Sequence, residues 1–322
     1  MKPRRSRLRL VSTFALTLGL ALSGAACDKG GGATDKPEGG KAGAVTEGGG
    51  KQGADEGGKD YVYAAEGFVL TATMNIKFEI SSKQGSGAAE IEARSLIEAT
   101  PAEPGKLQIH GKVIELIGYK GSGQLEPEFM KKQAEEQGQE AVDIVEQLGK
   151  SESWLVVNQK GELDEAATKA LPQNQSDEDD DADFGLFNLP DLPAADLVEG
   201  EKVTLPTKEE QRQLPFGAVP LEVDETWILR KIDDNRIAEF DVTREGSGAT
   251  EISGGQGSAN ISMLEESSFT IYFNLETKLP VSFNGYSQSE TSIDIEGQRE
   301  TITFATNNEI SATYEPGAPA GA

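Results

Sequence analysis

Leu70-Thr71-Ala72-Thr73-Met74-Asn75-Ile76-Lys77-Phe78-Glu79-Ile80 alternates apolar and polar side chains without a break. Successive side chains of a strand point to opposite faces, so a period of two describes one buried face and one wetted face. Shorter alternations recur over residues 90–98, 106–119, 154–158, 226–232, 236–243, 269–275, 280–286, 301–306 and 309–314. Between them lie Gly85-Ser86-Gly87, Gly121-Ser122-Gly123, Asp233-Asp234-Asn235, Gly246-Ser247-Gly248 and Asn307-Asn308. Separators of this kind predict hairpin turns, and hairpins make successive strands antiparallel. The fold class expected is mainly β with a helical minority (α+β).

Two stretches read as helix. Pro127 to Leu148 is rich in Glu, Gln and Lys, with Phe129, Met130, Ala134, Ala141, Ile144, Val145 and Leu148 apolar. Its proline suits a first turn, where a missing N–H costs nothing. Gly138 weakens the middle, so one helix or two shorter ones fit. An apolar stripe carrying Phe129, Ile144, Val145 and Leu148 must be buried, and residues 70–80 are its expected partner. Thr207 to Leu214 has capping-box spacing from Thr207 to Glu210 and stops at Pro215, which predicts a brief helix. Residues 172–220 hold six of the fourteen prolines and are expected as an exposed loop plus a crossover laid over the domain. Gly85–Ile91 and Gly246–Ile252 match at six of seven positions, an echo that either a duplication or chance would give.

The N-terminus governs location. Lys2, Arg4, Arg5, Arg7 and Arg9 precede an uncharged, Leu- and Ala-rich run from Leu10 to Leu22. That run is too short for a bilayer, which needs about 20 helical residues. A basic start, an apolar middle and small residues at the end make a secretory signal peptide over residues 1–26. Ser23-Gly24-Ala25-Ala26-Cys27 ends it, and Cys27 is the chain's one cysteine. The run resembles a bacterial lipobox, which implies that Cys27 becomes the lipidated first residue of the mature protein. Gly24 stands where lipoboxes usually carry Leu, and Gly24-x-Ala26 also suits an ordinary signal peptidase, which would leave a free thiol. Lipidation is the expectation, because an exported lone thiol has no disulfide partner. Asp28 follows, a residue that holds lipoproteins in the inner membrane of enteric bacteria, and other lineages need not read it so. Inner and outer membrane both stay open.

Residues 27–60 are expected as the lipidated cysteine and a disordered tether. Twelve of residues 28–60 are glycine and no aromatic precedes Tyr61. Such a segment buries too little to offset its ordering entropy, and as a coil it spans about 30 Å. Residues 61–316 form the β-rich globular domain, with an acidic loop over 173–185, and 317–322 a flexible tail.

Composition excludes much chemistry. The chain has 322 residues, 30 Lys plus Arg against 55 Asp plus Glu, one His and one Cys. Its net charge is −25, and removing the five cations of residues 1–26 takes it to −30. Phosphates require a basic face, so no nucleic-acid partner is expected. No serine has glycine at both ±2 positions, so the nucleophile elbow is missing. Gly149-Lys150-Ser151 ends like a phosphate loop, but Ile144 stands where its first glycine belongs. Asp177-Glu178-Asp179-Asp180-Asp181-Ala182-Asp183 opens like a calcium loop, yet Ala182 or Phe184 replaces the required glycine. His110, between Gln108 and Lys112, reads as a surface histidine, and Trp154 and Trp227 read as core. No catalytic, cofactor or metal residue is assigned. Cys27 is the one site residue, and the chain is read as a non-enzyme.

Two strand-rich halves around a helical segment, behind a lipidated Cys27, resemble the LolA/LolB and LppX/LprG lipoprotein carriers. Thr226-Trp227-Ile228-Leu229 and the segment Phe273–Pro280 are also similar to runs in β-rich lipoproteins of Gram-negative soil bacteria. The resemblance implies a curved antiparallel sheet or half-open barrel, with one or two helices packed on its concave face. It further implies a cell-envelope lipoprotein held by membrane lipid through its N-terminal anchor. An acyl chain or other amphiphile in a cavity, or an envelope protein, is the partner implied. A structural or interaction lipoprotein with a filled core is the alternative, and a carboxylate-based glycan hydrolase a third reading.

Overall fold

The computed structural model describes residues 61–82, 85–136, 143–171, 189–193, 196–214, 217–254, 257–295 and 302–317. The signal peptide, Cys27, the tether, the acidic loop and residues 318–322 lie outside them. The alternating stretch sits inside β1 (Phe68–Ser82). It is followed by β2 (Gly85–Pro101), β3 (Lys106–Gly123), α1 (Pro127–Glu136), α2 (Ile144–Gly149), β4 (Glu152–Asn158) and α3 (Glu165–Lys169). The second half is all strand: β5 (Lys202–Thr204), β6 (Lys208–Leu214), β7 (Gly217–Ile232), β8 (Ile237–Gly254), β9 (Gly257–Asn274), β10 (Leu279–Ile295) and β11 (Ile302–Pro316). All eleven join one antiparallel sheet in the order β4-β3-β2-β1-β11-β10-β9-β8-β7-β5, with β6 on β7 off this path. The sheet ends at β4 and β5 and does not close into a barrel.

Alternation put the right residues inside. Leu70, Ala72, Met74, Ile76, Phe78 and Ile80 are buried, while Thr73, Lys77 and Glu79 are exposed. One inward row runs across the sheet through Leu116, Ala93, Met74, Ala312, Phe283, Ile271 and Phe240. Residues from β3 to β8 therefore share a single core, which also takes in Trp227 and Leu229 of β7.

The chain fills that inner face itself. Tyr61 meets Phe240 edge-on at 4.9 Å and Tyr63 meets Phe273 at 5.5 Å. Tyr63 Oη donates to Pro190 O at 2.6 Å, and Lys160 Nζ donates to Pro193 O at 2.8 Å. Leu189, Leu192 and Leu197 are buried in the same core. The described part of the crossover lies over the sheet, as expected, and turns Leu189, Leu192 and Leu197 inward, where with the two tyrosines they cover apolar strand residues that would otherwise face water.

Other expectations change. Thr207–Leu214 is strand for most of its length, as β6, and not a helix. Thr207 Oγ1 donates to Asp224 Oδ1 instead of capping a helix, and Glu210 reaches Arg244 of β8. Extended backbone puts Lys208, Glu210 and Arg212 on one face, where charged partners lie, and that outweighs local helix propensity. Gly246-Ser247-Gly248 and Asn307-Asn308 lie inside β8 and β11, and Gly121-Ser122-Gly123 closes β3. Gly248 is required by a close crossing: a Cβ there would sit 1.9 Å from Pro220 O of β7. The echoed segments therefore occupy different places, the start of β2 and the interior of β8. Asp233-Asp234-Asn235 is a turn as expected, with Asp233 Oδ1 accepting from Asn235 N and Ile237 N.

The helical segment forms two pieces in the described residues. Asp143 caps α2 by accepting from Val145 N and Glu146 N. This helix lies on β3, where Val113 N donates to Ser151 O at 2.9 Å, rather than along β1. Ile144 and Leu148 are buried as expected, whereas Phe129 and Val145 are exposed.

Burial holds the interior tyrosines neutral. It pushes the Tyr63 and Tyr314 hydroxyls far up, Tyr63 further through the nearby Tyr314 and Asp191, and raises Tyr119 to about 12. An unfolded tyrosine ionises near about 10. Raised folded values mean that this contribution is complete below pH 10 and is lost as pH climbs toward 12 and beyond. Alkaline titration followed by tyrosinate absorbance and circular dichroism should show part of the absorbance rising only with unfolding. A single step near pH 10 with the fold intact would contradict the burial of Tyr63 and Tyr314.

Candidate functional site

Two inward rows of the sheet break the apolar pattern. One runs Arg244, Ser267, Ser287, Asn308, Phe78, and the next runs Gly246, Glu265, Ser289, Thr306, Ile80. They form a polar belt across β8–β11, between the main core and a second apolar cluster of Val219, Leu221, Val223, Ile261, Met263 and Ile293. The β6–β7 hairpin folds over the far end of the inner face, which is how Val219 and Leu221 reach Ile261 and Met263.

The hairpin brings charge onto the belt. Arg212 grips Glu265 with two nitrogens, Nε to Oε1 at 2.9 Å and Nη2 to Oε2 at 3.0 Å. Arg244 Nη2 donates to Glu210 Oε1 at 2.5 Å, and Arg244 Nε lies 3.3 Å from Glu225 Oε2. Glu210 Oε2 also lies 3.3 Å from Arg212, Lys208 Nζ 3.9 Å from Glu225, and Trp227 Nε1 donates to Glu225 Oε1. Glu210 and Arg212 are almost wholly buried. Burial alone would lower the Arg212 pKa, but the Glu265 hydrogen bonds and the charges of Glu265 and Glu210 hold it above its ordinary value.

A small cleft of about 30 Å³ opens beside Arg212, Glu265, Ser267, Ser289, Thr306 and Asn308. A water needs some 10–15 Å³, so the cleft admits a water or two. Three cations and three carboxylates neutralise one another here, and each carboxylate is committed to a cation. The arrangement ties the hairpin to the sheet.

His110 lies on the outer face, as expected, but its ring is not bare. It stacks on Trp154 at 3.9 Å, with Nδ1 3.2 Å from Glu98 Oε2 and Nε2 2.5 Å from Glu152 Oε1. Trp154 is therefore an outer-face residue and not core, while Trp227 is core. Among the described residues no group of three His, Cys, Asp or Glu is placed to hold a metal ion.

The ionic cluster was missed in the sequence, although its signal is there. Val223-x-Glu225-x-Trp227, Val242-x-Arg244-x-Gly246 and Met263-x-Glu265-x-Ser267 each set a charge at an inward position. No known family matches the chain, and no curated protein matches it. Among solved structures, kievitone hydratase from Nectria haematococca overlaps 80% of this chain and 92% of its own, at 7% identity and a TM-score of 0.14. A likeness that low carries no argument.

Removing one partner of a buried pair leaves an uncompensated charge, at a cost of about 3–5 kcal/mol. Arg212→Ala should lose that much in urea unfolding, and Arg212→Met combined with Glu265→Leu should lose less than Arg212→Ala. A loss of under about 1 kcal/mol for Arg212→Ala would mean that the hairpin does not depend on the cluster.

Proposed function

We propose that the protein is a non-enzymatic lipoprotein of the bacterial cell envelope, exported and anchored through a lipidated Cys27. Its domain acts through its surface, as a structural or interaction module with a filled core. The observation that carries this reading is the packed inner face. An acyl chain seeking the concave side would have to displace Tyr61, Tyr63, Leu192 and Leu197, all buried there. The ionic cluster supports the same reading, because its carboxylates are engaged in holding a hairpin. The basic, apolar and small-residue order of residues 1–26 and the lone cysteine at its end support the anchor.

Cys27→Ser tests the anchor. In a bacterial host, radiolabelled palmitate should enter the wild type and not the variant, and the variant should leave the membrane fraction or remain unprocessed. Equal labelling of both would overturn the anchoring.

A further inference from the structure

Glu98 of β2, His110 of β3 and Glu152 of β4 join three neighbouring strands at one end of the sheet, on its outer face. Glu98 stands directly across from His110, and His110 directly across from Trp154. The His110 side chain is only 15% exposed, held between the two carboxylates and the indole.

The geometry matches a protonated ring. A carboxylate only accepts, so Nδ1 donates to Glu98 Oε2 and Nε2 to Glu152 Oε1. A neutral imidazole carries one N–H and serves one of them, whereas the imidazolium serves both. The His110 and Trp154 rings lie 9° from parallel, and an indole face attracts a cation. Removing the proton turns a lone pair toward one carboxylate, so a bond becomes a repulsion.

Few other charges surround the ring. Leu96 and Thr100 flank Glu98 on the outer face of β2, and Gln108 and Lys112 flank His110 on β3. Lys112 stands opposite Glu152. α3 packs on β4, where Val156 N donates to Thr168 Oγ1. Its cap Asp164 is taken by Lys106 at 2.9 Å, and Lys169 stands in its last turn.

The place of these contacts gives them leverage. β4 ends the sheet and pairs with β3 over Lys106–Lys112. Glu152 is its first residue, three beyond Gly149 at the end of α2. α2 lays Ile144 and Leu148 on the β3 side of the core, and Ser151 O accepts from Val113 N. A charge on His110 therefore pins the point where the α2 cover meets the sheet.

We propose that Glu98, His110 and Glu152 form a pH-sensitive clasp. The protonated ring ties β4 and the α2 cover to β2 and β3, and deprotonation releases the Glu152 end. The clasp is complete in acid and loses a bond as pH rises through the titration of the ring, because two acceptors need two N–H donors.

The test is amide exchange of the full chain between about pH 5.5 and about pH 8.5, with rates corrected for intrinsic base catalysis. Protection across Glu152–Asn158 should fall several-fold relative to Phe68–Ser82, following the Hε1 chemical shift of His110, the one histidine resonance. Glu152→Gln, at an exposed side chain, should abolish that fall, because an amide offers its oxygen to an N–H or its NH2 to a bare nitrogen. His110→Gln should abolish it too. Protection in β4 that stays constant while the His110 resonance titrates would overturn the clasp. An equal fall in the wild type and in Glu152→Gln would overturn it as well, since the response would then lie elsewhere.

Discussion

A sheet this wide with one apolar face must cover that face, and the rest of the structure follows from how it does so. The inward row from Leu116 to Phe240 crosses seven strands, and no single helix is broad enough to shield it. The chain uses three separate covers. Tyr61, Tyr63 and the crossover leucines lie over one region, Ile144 and Leu148 over the β3 side, and the β6–β7 hairpin over the far end. Apolar burial supplies the drive, at roughly 25 cal/mol per Å², but it does not by itself choose where a hairpin lands. The ionic cluster on the polar belt does that, since each guanidinium fits carboxylates in one register only.

Much of this was legible in the sequence. The period of two in residues 70–80 gave the inward set of β1 residue by residue, and the antiparallel, mainly β class followed from it. What was misread has a common physical cause. Gly246-Ser247-Gly248 and Asn307-Asn308 look like turns locally, yet they lie in strands because neighbours on both sides satisfy their backbone. Gly248 is there for a close crossing rather than for a bend. Thr207–Leu214 carries helix-like capping, and tertiary charge partners override it. Trp154 looks like core by type, and its alternation alone did not say which face was inside.

The candidate site illustrates the same limit. Glu225, Arg244 and Glu265 stand at inward positions of their strands, and that parity was readable once the strands were accepted. Their partners Glu210 and Arg212 were not, since they belong to a segment read as helix. The result is a site that neutralises itself and leaves room for little more than water.

The central claim is that the inner face is packed and not hollow. Phe78 tests it most directly, because it lies where the main core meets the polar belt and is 1% exposed. Urea unfolding of Phe78→Ala should show a loss of about 3–5 kcal/mol, the usual range for a tightly packed phenylalanine, with an unchanged dependence on urea. A loss below about 1 kcal/mol in a variant that keeps its fold would contradict the packed interior and favour a hollow one.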